Sequence, residues 1–311
     1  MPDRPAPDRP APSGPGGGDG PGTGAIHDIG YRHYDGERLG RGYIVRSLYV
    51  DSVRGGYGLG RSAKSKVVPL LLLAVMCMPA LVIAIVAAAT KATSLPGGYH
   101  SYVLNVEVVV AIYVAAQAPA SVSRDLRFRF MSLYLSRPLR RADYVLARFA
   151  GLATAVFALI AVPLTILFIG ALLTKLPFAD QVRGWLAALG GDLLFSLVLA
   201  GIGLVVAAVT PRRGLGVAAI ISVLIVLIGV EGAAQGISHE RGADTASGYF
   251  GLISPFSLVQ GVQTSLLRQQ NPLVAGPPGA VGGLVFAAVT VLVIAGCYGL
   301  LLLRYRKVSV S

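Results

Sequence analysis

Six long apolar runs constrain this chain more than any other feature. They lie at residues 67–90, 102–122, 149–173, 185–209, 214–236 and 281–303. Each approaches the roughly 20 residues that a helix needs to cross about 30 Å of hydrocarbon, where only a helix or a closed barrel satisfies its own backbone. The remainder of the 311-residue chain is too poor in charge to coat a soluble core of that size: 14% of residues are charged and mean hydropathy is +0.67. The expected fold is an all-α membrane protein with six transmembrane helices in a domain spanning 67–311. A soluble enzyme is excluded.

The charges report orientation. The chain carries 27 Lys and Arg against 15 Asp and Glu, a net +12 that could signal nucleic acid or an anionic membrane surface. Of the 27 basic residues, 22 fall before the first run, between the second and third, between the fourth and fifth, or after the sixth; the other connections hold five. By the positive-inside rule both termini are cytoplasmic, and the basic balance is topological rather than a nucleic-acid signature. Arg outnumbers Lys 22 to 5, as in GC-rich bacterial genomes, so the expected location is a bacterial inner membrane. Cys77 and Cys297 sit inside apolar runs as small hydrophobes, and the four histidines lack zinc-site spacing; no metal is expected.

Before the first run the chain divides in two. Residues 1–25 contain seven Pro and seven Gly and read as a disordered cytoplasmic tail, uncleaved because no apolar stretch follows early enough for a signal peptide. Residues 26–66 form a basic, Tyr-rich interfacial segment. Within it, 42–54 can form an amphipathic helix with Val45, Leu48, Tyr49 and Ser52 on one face and Ser47, Asp51 and Arg54 opposite. Such a helix would lie on the inner membrane surface. An irregular basic linker is the alternative, since Gly55, Gly56, Gly58 and Gly60 interrupt the pattern.

The inner connection 123–148 reads SRDLRFRFMSLYLSRPLRRADYVLAR. It carries apolar Leu126, Phe130, Met131, Leu133 and Tyr134, then breaks at Arg137-Pro138. Asp143 is placed to cap or pair at the next helix start. A short exposed apolar helix bounded by basic residues needs a protein partner or a headgroup layer. The stretch LYLSRPLRRADYVLARF, residues 133–149, resembles the cytoplasmic loop of ABC-2 type permeases, the membrane subunits of ATP-binding-cassette exporters. The six-span layout, the preceding interfacial helix and ISPFSLVQG at 253–261 are similar to the same family, over residues 43–306. The resemblance implies a coupling helix at about 125–136 seated on a separate ABC ATPase, through Asp125, Leu126, Phe130, Met131, Leu133, Tyr134 and Arg137. It also implies that the helix at 42–54 touches that ATPase, and that a second permease copy or a related permease completes the path.

No nucleotide site is read in this chain. GLGRSAKS at 58–65 misses the phosphate-loop pattern by Ala63 and has no strand before it. Neither H-E-x-x-H nor G-x-S-x-G occurs. ATP is therefore expected on the partner, and this chain needs no cofactor of its own.

Three carboxylates fall within the runs: Glu107, Asp192 and Glu231. Intramembrane acids are costly and usually face a cavity or a partner. At 1.5 Å per residue all three lie roughly 7 to 11 Å below the outer end of their spans. They are candidate substrate-path residues in a shared acidic vestibule, or partners for Arg183, Lys175 or Arg241; separate carboxylates that snorkel outward are the alternative. The outer connection 237–280 is too polar to span. Its apolar half, with Phe250, Leu252, Ile253, Phe256 and Leu258, suits a hairpin or short helix pair dipping into the outer leaflet, as an outer gate by the family resemblance or as an external cap. Two other functions fit the sequence: an ion-coupled secondary transporter using the three acids, and a membrane anchor recruiting a cytosolic protein through its basic arm.

Overall fold

The computed structural model describes residues 39–308 apart from 61, 93, 95–96, 128–138, 175, 211 and 267–275. These residues form nine helices and no strand: α1 (Arg41–Gly56), α2 (Ala63–Ala89), α3 (Gly98–Arg127), α4 (Arg141–Leu173), α5 (Phe178–Val209), α6 (Arg213–Glu240), α7 (Asp244–Phe250), α8 (Pro255–Leu266) and α9 (Gly279–Val308). Six are long and apolar enough to cross a membrane: α2, α3 over Ser101–Val122, α4, α5, α6 and α9 over Gly279–Arg306. Each overlaps one of the six apolar runs, with α4 and α5 beginning well before theirs. The fold is that of an all-α, six-span membrane protein.

Helices α4 and α5 form the centre. They pack along each other, α4 also against α1, α2, α3 and α9, and α5 against α3, α6, α8 and α9. Their shared core contains Leu159, Ile160, Leu164, Leu199 and Leu204, each at most 1% exposed. The membrane-length window of α5 is 61% buried, whereas those of α6 and α9 are 17% buried. The apolar faces of the last two therefore have too little protein over them to be core. Small residues set the closest approaches, as expected where lipid supplies no hydrophobic drive between helices. A Cβ on Gly170 of α4 would stand 2.4 Å from the Ala84 Cβ of α2, and one on Gly203 of α5 would stand 2.6 Å from a Val114 methyl of α3.

Helix α1 forms with the expected face buried. Leu48 and Ser52 are buried, Val45 and Tyr49 partly so, and Ser47, Asp51 and Arg54 are exposed. That face lies on α4 of the same chain. Gly151 of α4 opens the contact, since a Cβ there would meet the Ser52 Cβ at 2.4 Å. The helix stops at Tyr57, and the chain turns through Gly58 and Gly60, whose φ of +66° and +82° suit glycine.

Candidate functional site

The connection between the fifth and sixth spans folds into the short helix pair α7 and α8. Pro255 opens α8, where a missing backbone donor costs nothing, and the Ser254 hydroxyl accepts the Phe256 N–H at 3.3 Å. Every residue from Pro255 to Gln263 is buried. A helix so enclosed must place its polar side chains against polar partners. Those side chains are Ser257, Gln260 and Gln263, which recur every three residues and so share one face.

That face meets acids on two spans and a glycine on a third. Ser257 Oγ donates to Glu231 Oε1 of α6 at 2.8 Å. Gln260 and Gln263 line a narrow pocket with Glu107 of α3, walled by Val103, Phe195, Phe256 and Val259. Gln263 also lies across Gly191 of α5, where a Cβ would stand only 1.8 Å from its Nε2. The ring pair Phe195–Phe256, 5.3 Å between centroids, fixes α8 on α5 nearby. On its other side α8 presses against α9, with Gly261 beneath the Phe286 ring and Ser265 against Gly283.

Glu107 and Glu231 thus both meet α8, through different side chains of its polar face. Asp192 is 0% exposed, and neither of its carboxylate oxygens has a hydrogen-bond partner among the described residues. It follows Gly191 in α5 but does not line the pocket with Glu107. Asp192 and Glu231, the latter 7% exposed, are enclosed by the chain and do not snorkel outward. Among the described residues no ion pair joins the acids to Arg183 or Arg241; Lys175 lies outside them.

A second polar cluster fastens α1 to the start of α4. Arg41 grips Asp143 through Nε at 2.7 Å and through Nη2 at 2.5 Å, and the Arg140 N–H donates to the same carboxylate at 3.1 Å. Those bonds raise the Arg41 pKa above its ordinary value, mainly through the hydrogen bond to Asp143. Arg148, 7% exposed, donates to Ser52 Oγ at 3.1 Å, reaches Asp51 at 3.4 Å and sits over the Tyr144 ring. Tyr57 donates to the Ala155 carbonyl at 2.7 Å, and burial pushes its hydroxyl up to about 12. Tyr113 donates to the Gly56 carbonyl at 3.0 Å, and Tyr49 pairs with Thr154 at 3.0 Å.

Asp125 and Leu126, assigned by sequence to a coupling helix, lie in the last turn of α3, which runs on from the second span to Arg127. Phe130, Met131, Leu133, Tyr134 and Arg137 lie outside the described residues. Residues 105–310 match the family described as ABC-2 family transporter protein, from within α3 nearly to the last residue and about two thirds of the chain. The chain belongs to the ABC-2 transporter family. A comparison with curated proteins gives no match. As an ABC-2 transporter it is a multi-pass permease of an ABC transporter.

In this ABC-2 permease the polar seam of α8 lies wholly within the matched region, whereas α1 and α2 precede it. Sequence reasoning singled out Glu107, Asp192 and Glu231 but not Ser257, Gln260 and Gln263, which lie against Glu231 and Glu107. The signal was the spacing of three polar residues within an apolar stretch bounded by Pro255. It was obscured because the surrounding apolar residues alone suffice to draw that stretch toward the membrane.

Proposed function

We propose that this permease forms the translocation path of an exporter, with ATP hydrolysed on a separate ABC ATPase and a second permease copy or a related chain completing the path. Both termini face the cytoplasm of a bacterial cell, as the 22-to-5 distribution of basic residues supports. The coupling segment, Asp125 to Arg137, seats on the ATPase, and its movement passes to α3 and α4, the helices it joins. The arm formed by α1 is clipped to the first half of α4, the helix that follows that segment in the chain, and moves with it.

Helix α8 acts as the gate on the opposite side. The observation that carries this is its complete burial from Pro255 to Gln263 against α3, α5, α6 and α9, with its polar face on Glu107, Glu231 and Gly191. A helix held on four sides, with glycines at its closest contacts, closes the space between the spans. Withdrawing it uncovers Glu107 and Glu231 along the path, with Asp192 next to the Gly191 contact. Rigid-body repacking of such an element between two arrangements is a standard form of transport switching.

A reversible lock tests the gate. A Cβ on Gly283 would lie 2.5 Å from the Ser265 Cβ, close enough for a Ser265→Cys/Gly283→Cys pair to bridge after a small separation. In a background without Cys77 and Cys297, oxidation should suppress the transport-coupled ATPase activity of the purified complex, and reductant should restore it. Equal turnover with a fully formed disulfide would overturn the gate. Transport that persists without any ATPase would favour an ion-coupled carrier instead.

A further inference from the structure

The face of α5 that α8 covers continues past it. Gly191 and Phe195 take the contacts to Gln263 and Phe256, and Phe195, Ile202 and Val209, seven residues apart, keep one side of the helix. Ile202 is half-buried and Val209 is 66% exposed, so beyond Phe256 no described helix lies over that face. To either side stand α6 and α9, which pack on α5 but hardly on each other among the described residues. They leave an open trough floored by α5, about 21 Å long from Phe195 to Val209 at 1.5 Å per residue. On α9, Cys297 meets Gly201 of α5. The flank beside it carries Leu300, which is 55% exposed and one turn before Arg304.

The trough ends among arginines. Arg304 Nε donates to the Ala208 carbonyl at 3.3 Å, in the last turn of α5, where a helix end carries partial negative charge. Arg212 and Arg213 stand at the turn that follows, and all three arginines are exposed. None of them forms an ion pair among the described residues. No acid occurs in α5 after Asp192, in α6 before Glu231 or anywhere in α9. The positive charge at this end is therefore left for something outside the chain to balance.

We propose that this trough holds one anionic phospholipid of the inner leaflet, its phosphate on Arg304, Arg212 and Arg213 and an acyl chain along Val209 and Ile202 toward Phe256. Charge complementarity selects the headgroup, and the guanidinium fork suits phosphate oxygens. The length selects the chain: one leaflet contributes about 15 Å of the roughly 30 Å hydrocarbon core, so a chain that starts at the arginines runs most of the trough. A second copy seated here on a two-fold axis would instead set the same arginines against each other. The lipid ties α6 and α9 to α5 where no helix joins them. Its assignment to the inner leaflet rests on the orientation proposed above; its binding depends neither on the gate nor on an ATPase.

The test uses the full-length chain purified in detergent, stripped of lipid and melted with phosphatidylglycerol or with phosphatidylcholine of the same acyl chains. The site predicts a saturable rise in melting temperature with phosphatidylglycerol that phosphatidylcholine does not reproduce. Arg212→Gln/Arg213→Gln should raise the half-saturating concentration about tenfold and leave the melting temperature in detergent alone unchanged. Val209→Trp, which fills the open end of the trough, should abolish the rise, whereas Arg46→Gln, at an exposed arginine of α1, should retain it. Equal rises with the two lipids, or a preference that survives both trough variants, would overturn the site. So would the same rise with glycerophosphoglycerol, which has the headgroup without the chains. A Val209→Trp chain that loses a dimer but keeps the preference would overturn it in favour of a second copy. Orientation is read separately, by maleimide labelling of Gly214→Cys in a background without Cys77 and Cys297. Labelling from outside intact cells would overturn the inner-leaflet placement together with the proposed orientation, whatever the melting shows.

Discussion

Gly261→Ala places a methyl group into the close contact between α8 and α9. The new Cβ would lie 2.2 Å from Phe286 Cδ1 and 2.5 Å from Cε1, whereas ordinary contact begins near 3.4 Å, so ring or helix must retreat by more than an ångström. Phe286 is 0% exposed and has no open side to turn into. Two effects oppose each other. Alanine favours a helix interior over glycine by about 1 kcal/mol, whereas overpacking a filled core costs about 1 to 3 kcal/mol. The clash should prevail in the native background, and the propensity gain should emerge once the ring is trimmed. A cycle of Gly261→Ala, Phe286→Leu and the double variant, read as melting temperature of the purified chain, should give a favourable coupling of about 1 to 2 kcal/mol. Stabilisation by Gly261→Ala alone, or the same effect in both backgrounds, would refute the close packing of α8 on α9.

Ser257→Ala leaves Glu231 without its hydroxyl donor and should destabilise by about 1 to 3 kcal/mol in the same melting assay, whereas Thr at that position should keep the bond. Asp192→Asn should impair transport of a cationic substrate with normal yield of folded protein; unchanged transport would remove Asp192 from the path. Arg148→Met should loosen α1, seen as faster proteolysis after Arg54, because the contacts to Ser52 and Asp51 disappear together. Arg41→Ala, at an exposed pair, should weaken the same attachment mainly at low salt, measured by proteolysis across a salt series.

The six spans were legible because a lipid solvent leaves a long apolar run few alternatives, and the run itself carries the signal. Helix α5 shows the limit of that rule. It begins at Phe178 and includes Asp180, Gln181 and Arg183, which an apolar criterion assigns to a loop. Pro177 marks the start, and Gln181 is engaged by the Tyr99 hydroxyl at 2.8 Å. For α1, periodicity identified the buried face but not its cover: nothing local in Leu48 or Ser52 distinguishes a headgroup layer from Gly151 of a helix far along the chain. The acids were legible one at a time, by their cost in lipid, and their similar depth followed from counting turns. That Glu107 and Glu231 meet on α8 was not, because it depends on where the chain re-enters between the spans.

The proposed function stands on a separate ATPase docked on the inner connection. The direct test is to purify the tagged chain with and without a four-residue charge-and-bulk exchange across residues 130–133 and to identify the proteins that accompany it. An ATPase carrying a G-x-x-x-x-G-K-[ST] phosphate loop should accompany the native chain and be lost from the exchanged one, at equal recovery of folded permease. Folded permease recovered without an ATPase in either preparation would contradict it.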